Sequence, residues 1–243
     1  MQKRIKETIV SFLNSNRPGK LLDIPAGNGW LKDELKGSGW EYHASDLYTN
    51  PELQNFKTAD LNQPLPYDDH AFDYITCPEG LEHIENYHLV LREFHRILKP
   101  EGKVIVSTPN PLNIKSRRRY YREGTFYGFP HLVRMPKEGD HLHMSPINLS
   151  FLVTFAKKYG LSLNEVHEIP IKNSNWRYLF HCLFLKLRNA IRYSRKDRAT
   201  KQFMKQLVSL NVLLNDGIVV SFQKDHITSA ASAANSERSV LSK

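Results

Sequence analysis

The sequence predicts an α/β domain built on a doubly wound, mostly parallel sheet, and three observations point that way. Short apolar runs alternate with helical patterns along most of the chain, the order expected of successive βαβ units. The first run, at 21–24, leads into a loop with glycines at 27 and 29 and then a helix-like pattern from 30. Strand, glycine loop and helix is how such a sheet presents backbone N–H groups to a nucleotide-like ligand. Acids close the first three runs, as Asp23, Asp46 and Asp60, at the carboxyl ends where open α/β sheets bind ligands.

Taken in order, residues 3–14 place Ile5, Ile9, Val10 and Leu13 on one face of an amphipathic helix. R-P-G-K at 17–20 is a turn. The first strand is followed by a helix at 30–36 and a second strand at 42–45. Residues 56–59 form a short third strand and 71–77 a fourth. A long helix is expected over 81–98, stopped by K-P-E-G at 99–102. The fifth strand, 103–107, is broken by T-P-N-P at 108–111, and the weakly periodic residues 112–145 read as an irregular excursion. A helix over 148–159 ends at Gly160, and a sixth strand covers 161–169. Amphipathic helices at 174–194 and 199–214 make an insertion, 172–214, ahead of a last strand at 217–222. One domain over 1–227 results, and the Ser/Ala-rich residues 228–243 carry too little apolar content to pack.

At 243 residues the chain has room for one such domain, and 40% hydrophobic with 24% charged residues is ordinary for a folded soluble protein. Cys77 and Cys182 make no disulfide framework and no zinc spacing, so a reducing cytosol is expected. The first residues lack the apolar core of a signal peptide. No apolar run approaches the roughly 20 residues of a membrane span. The net charge of +9 is local. Residues 172–206 hold ten Lys/Arg against one acid, Asp197, which equals the excess of the whole chain.

L-L-D-I-P-A-G-N-G at 21–29 is not the dinucleotide fingerprint, because Pro25 stands where its first glycine would be, and no Gly-Lys-Ser/Thr of a P-loop follows. An acid at a strand end with glycines four and six residues later resembles motif I of the class I S-adenosylmethionine-dependent methyltransferases. Further features stand in register. Asp46, 23 residues after Asp23, suits ribose hydroxyls, and Asp60 in T-A-D-L-N is the type that binds an adenine amino group. The strings at 64–73 and 98–104 are similar to the family's approach to strand four and its L-K-P-G-G segment, with Glu101 replacing a glycine. The resemblance covers about residues 20–110. It implies a Rossmann-like fold of seven strands with the last antiparallel, methyl transfer, and S-adenosylmethionine as cofactor. It implies cofactor contacts from Asp23, Pro25, Ala26, Gly27, Asn28, Gly29, Asp46, Leu47, Asp60, Leu61, Pro78 and Glu79. Without a cofactor the same acids are helix caps and the glycines plain turn residues. Pro25 departs from the pattern, because it removes one backbone donor.

C-P-E-G-L-E-H-I-E-N at 77–86 spaces Glu79, Glu82 and His83 at i, i+3 and i+4, one face of a helix beginning near Glu79. Two carboxylates and an imidazole are ligands for a divalent ion such as Mg²⁺. E-x-x-E-H is similar to the metal motif of small-RNA 2′-O-methyltransferases and to the same stretch of ubiquinone-pathway O-methyltransferases. In the RNA family a later histidine completes the set, and G-D-H-L-H at 139–143 makes His141 the match, with His143 its neighbour. A metal there would lower the pKa of an acceptor hydroxyl. The alternative is a metal-free site in which His83 or His141 serves as general base.

Acceptor choice falls to the two inserted segments. R-R-R-Y-Y-R at 117–122, then Phe126, Tyr127, Phe129 and His131, suit a phosphate-bearing or ring-containing ligand, or RNA stacking. Trp176, Leu179, Phe180, Leu183, Leu187 and Ile191 form an apolar stripe with arginines mostly elsewhere on the wheel. Packing it on the domain as a lid is the expected use. Contact with an anionic membrane surface, on the inner face from the cytoplasm, is the alternative. The favoured reading is O-methylation of a small-molecule, lipid or lipid-linked glycan acceptor. An RNA 2′-O-methyltransferase is the second reading, and a cofactor-binding partner subunit without catalysis is the third.

Overall fold

The computed structural model describes residues 1–50, 52–131 and 142–225. Its centre is a seven-stranded sheet of β1 (Lys20–Asp23), β2 (Glu41–Asp46), β3 (Phe56–Thr58), β4 (Phe72–Pro78), β5 (Leu98–Pro109), β6 (Leu161–Val166) and β7 (Gly217–Lys224). The strand order is β3-β2-β1-β4-β5-β7-β6. From β3 to β5 all pairings are parallel, and β7 runs antiparallel to both β5 and β6. The chain therefore winds outward in both directions from β1, and the crevice beyond β1 and β4 is the switch point where such sheets bind ligands.

Strand alternation assigns each face its helices. In β1, Leu21 packs with Ile5, Ile9, Phe12 and Leu13 of α1 (Lys3–Asn14) and Leu31 of α2 (Trp30–Glu34). Leu22 and Ile24 turn the other way, against Val90, Leu91, Phe94 and Ile97 of α3 (Tyr87–Ile97). β5 repeats the rule, with Ile105 on the first face and Val104 and Val106 on the second.

The expected helix over 81–98 is interrupted. Glu79 adopts a left-handed backbone (φ +49°), Leu81–His83 form one 3-10 turn, and α3 starts only after Asn86, whose side chain accepts from the His88 N–H. That cap, a residue type worth about 1 kcal/mol at a helix start, is the signal in E-N-Y that marks the true beginning. The excursion from 112 is also more regular than its periodicity suggested, because Asn113 caps α4 (Ile114–Glu123). After α5 (Leu149–Lys158), the sixth strand stops at Val166 rather than running to 169. The insertion comprises α6 (Leu179–Arg192), α7 (Arg198–Leu207) and α8 (Leu210–Leu214). The expected single helix over 199–214 is thus two, divided where Ser209 accepts from the Val212 N–H.

α6 does not pack its apolar stripe as a lid. Phe180, Leu183, Phe184, Leu187 and Ile191 are 47–86% exposed, while Cys182 is the residue that α6 buries. Cys182 joins Ile114, Val208, Leu213 and Leu214 in a small cluster tying α4, α6 and α8 together. The stripe itself faces outward. No described helix is long and apolar enough to cross a membrane. Residues 228–243, expected not to pack, lie outside the described residues.

Candidate active site

A cavity of about 570 Å³ opens beyond the carboxyl ends of β1, β2 and β4, within the range of small-molecule and cofactor sites. Ten of the twelve residues the sequence assigned to a cofactor line it: Pro25, Ala26, Gly27, Asn28, Asp46, Leu47, Asp60, Leu61, Pro78 and Glu79. The other two stand behind the wall. Asp23 is fully buried and accepts hydrogen bonds from the Thr76 hydroxyl at 2.6 Å and the Tyr42 hydroxyl at 2.8 Å. Burial pushes its carboxyl up to about 7. Gly29 caps α2 in a left-handed conformation (φ +77°), where a Cβ would lie 2.5 Å from Leu53 Cδ2.

The loop is fastened to its neighbours at short range. The Ala26 N–H donates to Ser45 O at 2.9 Å, and the Gly27 N–H donates to Asp46 Oδ2 at 2.8 Å. Pro25 packs so closely on the β4 loop that a Cβ on Gly80 would meet Pro25 Cδ at 2.6 Å and Cys77 Sγ at 3.1 Å. The proline that looked like a defect in the glycine loop is one half of a tight contact whose other half is Gly80. Asp60 accepts from the Asn62 N–H at 2.8 Å, holding the far side of the cavity.

At the inner end, the E-x-x-E-H string separates. The left-handed backbone at Glu79 aims its carboxylate at the Met1 ammonium, 3.2 Å away, and not along the face of the next turn. Glu79 therefore lies outside the group whose donor atoms converge among the described residues. Glu82, His83 and His143 instead bring donor atoms within 4.8 Å of one another, and His141 lies outside the described residues. His83 lines the cavity itself. Glu82 is fully buried, and neither carboxyl oxygen has a hydrogen-bond partner among the described residues. Burial, reinforced by the nearby Glu79, pushes Glu82 up to about 8. His83 Nδ1 lies 3.0 Å from Leu142 O and His143 Nδ1 lies 2.8 Å from Gly128 O. A ring that donates through Nδ1–H carries its lone pair on Nε2.

The sequence named His143 only as a neighbour. What selects it is tertiary: the Glu82 carbonyl accepts from the Met144 and Ser145 N–H groups at 2.8 and 3.0 Å, setting the returning chain beside the turn. Phe129 also meets the His143 ring edge-on at 5.6 Å, and Phe126 stacks on Tyr120 at 4.7 Å. A row of rings thus runs from the exposed Tyr120 inward to His143.

The family model of a methyltransferase domain matches residues 1–166. A demethylmenaquinone methyltransferase of Staphylococcus epidermidis is 33% identical over 113 residues, 41% of this chain and 47% of that protein. The match thus spans about half the length of that relative. A ubiquinone biosynthesis O-methyltransferase of Glaesserella parasuis is 25% identical over 190 residues, 69% of this chain and 78% of the relative. Among solved structures, a SAM-dependent methyltransferase from Archaeoglobus fulgidus superposes with a TM-score of 0.56 at 14% identity, covering 90% of this chain and 93% of that one. That likeness carries the fold. With the family match over two thirds of the chain and the cavity at its switch point, the protein belongs to the methyltransferase-domain family.

Proposed function

We propose that the chain transfers a methyl group from S-adenosylmethionine to an oxygen of a ring-bearing small-molecule or lipid-linked acceptor. One observation carries the reading: His83 lines the same cavity as Gly27 and Asp46, and behind it stand His143 and the row of aromatic rings. The cofactor, when bound, supplies an electrophilic methyl sulfonium. Asp46 would accept from ribose hydroxyls, and Asp60 would meet the adenine side. Phe129 and Phe126 would hold an acceptor ring by edge and face contacts.

For the acceptor oxygen, the cluster of Glu82, His83 and His143 suits a divalent ion. Its donor set is one carboxylate with both oxygens unpartnered among the described residues and two imidazoles whose Nδ1 atoms face carbonyls. Two nitrogens and one carboxylate favour a borderline metal such as Mn²⁺ over Mg²⁺. A bound ion would supply Lewis acidity toward the acceptor hydroxyl. One relative is named for demethylmenaquinone and another for ubiquinone biosynthesis, which supports the ring-bearing class.

The test is methyl transfer from labelled S-adenosylmethionine to separate quinone-precursor, lipid-linked glycan and RNA fractions, with and without EDTA followed by Mn²⁺. Label in a quinone or lipid fraction, lost with EDTA and restored by Mn²⁺, is the expected result. Label confined to RNA overturns the acceptor class. Turnover indifferent to EDTA removes the metal and leaves His83 as general base.

A further inference from the structure

A second cavity, of about 290 Å³, lies between α4, α6 and α7. Three guanidinium groups, Arg117, Arg188 and Arg192, line it together with Asn148, Ser150 and Tyr193. No carboxylate lines it, and none of the three arginines makes an ion pair among the described residues. Arg117 is anchored from behind, its Nε donating to Leu112 O at 2.7 Å, and burial lowers its pKa. A group held that way offers its remaining N–H donors toward the hollow. One anchored guanidinium and two more without ion pairs among the described residues, Arg192 lying over the Tyr193 ring at 6.0 Å, with amide and hydroxyl groups among them, are the chemistry that recognises phosphate.

The cavity adjoins the outward face of α6. Residues four apart on a helix are neighbours, so Phe180, Phe184, Arg188 and Arg192 form one row that passes from exposed apolar rings to the guanidiniums of the cavity. Leu183, Leu187 and Ile191 make the adjoining row and are 47–68% exposed. The charge around this face is one-sided. Of the ten Lys/Arg between 172 and 206, only Lys172 is ion-paired among the described residues, with Asp216 at 3.1 Å, and the single acid, Asp197, caps α7. An exposed apolar stripe bordered by unpaired cations complements an interface that is apolar inside and anionic at its rim.

We propose that α6 lies on an anionic phospholipid surface, with lipid phosphate held in the Arg117–Arg188–Arg192 cavity. The same α4 that supplies Arg117 leads through residues 124–131 to Gly128 and Phe129, which touch His143. The docked face and the catalytic cluster are thus joined by one short segment, which brings a lipid-borne acceptor to the row of rings. Surface binding itself needs neither cofactor nor acceptor, so its failure leaves the catalytic reading standing and can be told apart from it.

The experiment is co-sedimentation of the full chain with phosphatidylglycerol/phosphatidylcholine vesicles and with pure phosphatidylcholine vesicles, at low and high salt. Expected is salt-sensitive binding to the anionic vesicles only. Near an anionic surface each basic residue is worth roughly fivefold in partitioning. Arg188→Gln/Arg192→Gln should therefore weaken binding by about 25-fold, and Leu187→Glu should also weaken it. Both changes fall on exposed positions, and an unchanged Tm shows that the fold is kept. The proposal is overturned by equal binding to neutral vesicles, or by variants that bind as wild type does. It is also overturned if vesicles are ignored while inorganic phosphate raises the Tm, because the cavity then takes a free anion. Self-association in sedimentation velocity that Leu187→Glu abolishes, without vesicle binding, would assign the face to a second copy of the chain and sink the proposal.

Discussion

Replacing Asp23 by Asn should remove a large part of the pH dependence of stability. The carboxyl is fully buried behind the cavity wall, and burial moves its pKa from 3.8 to about 7. Between those values the native state holds a proton that the unfolded chain has released. Stability from this group is therefore complete below about pH 4 and is lost as pH rises through 7. At pH 5 the native group is two units below its pKa while the unfolded one is ionised. At ~1.4 kcal/mol per unit this is worth about 2–3 kcal/mol, and by pH 8 it is gone. Urea unfolding of wild type and Asp23→Asn at pH 5 and pH 8 gives four free energies. Their double difference should show wild type losing about 2–3 kcal/mol more than the variant. A fixed cost of the amide beside Thr76 and Tyr42 is the same at both pH values and cancels, as does titration of Glu82. A double difference near zero would refute the placement of a neutral carboxyl at this position, because an Asp23 ionised in both states contributes no slope between pH 5 and pH 8.

Asp46→Ala removes the acceptor of the Gly27 N–H and the acid facing the cavity. Hydrogen bonds to a charged group are worth ~1.5–3 kcal/mol, so calorimetric affinity for S-adenosylmethionine should fall about 10- to 100-fold; unchanged affinity would remove Asp46 from the cofactor site. Gly80→Ala places a methyl 2.6 Å from Pro25 Cδ. Overpacking of that kind costs about 1–3 kcal/mol, read as a lower Tm together with weaker cofactor binding, and a variant that matches wild type in both would show that the β1 and β4 loops are free to separate.

The local features of the nucleotide end were legible because each has a local cause. Apolar runs of strand length, glycines at the two left-handed positions of the loop, and acids at strand ends are written in consecutive residues. They mark ten of the cavity-lining positions. Helix starts were less visible. Asn86, Asn113 and Ser209 are good caps in plain sight, but apolar spacing runs across Asn86 and Ser209, and the helix after Asn113 is too polar for its period to show. Glu79 left the expected ligand face for a backbone reason, while Glu82 and His83 stayed together. Spacing of i, i+3 and i+4 aligns side chains only on a helix, and Glu79 is left-handed.

By itself, then, the sequence determined the α/β class, the glycine loop, the acids at the strand ends and the local concentration of charge in 172–206. These depend on residue type and on neighbours within a few positions. The tertiary structure decided what depends on distant residues meeting. It chose His143 to join Glu82 and His83, because the 142–145 segment docks on the Glu82 carbonyl. It turned the stripe of α6 outward, because the Cys182 side is the one packed against Ile114 of α4 and Leu213 and Leu214 of α8. It gave Pro25 its partner in Gly80, 55 residues away, because β4 lies beside β1 in the sheet.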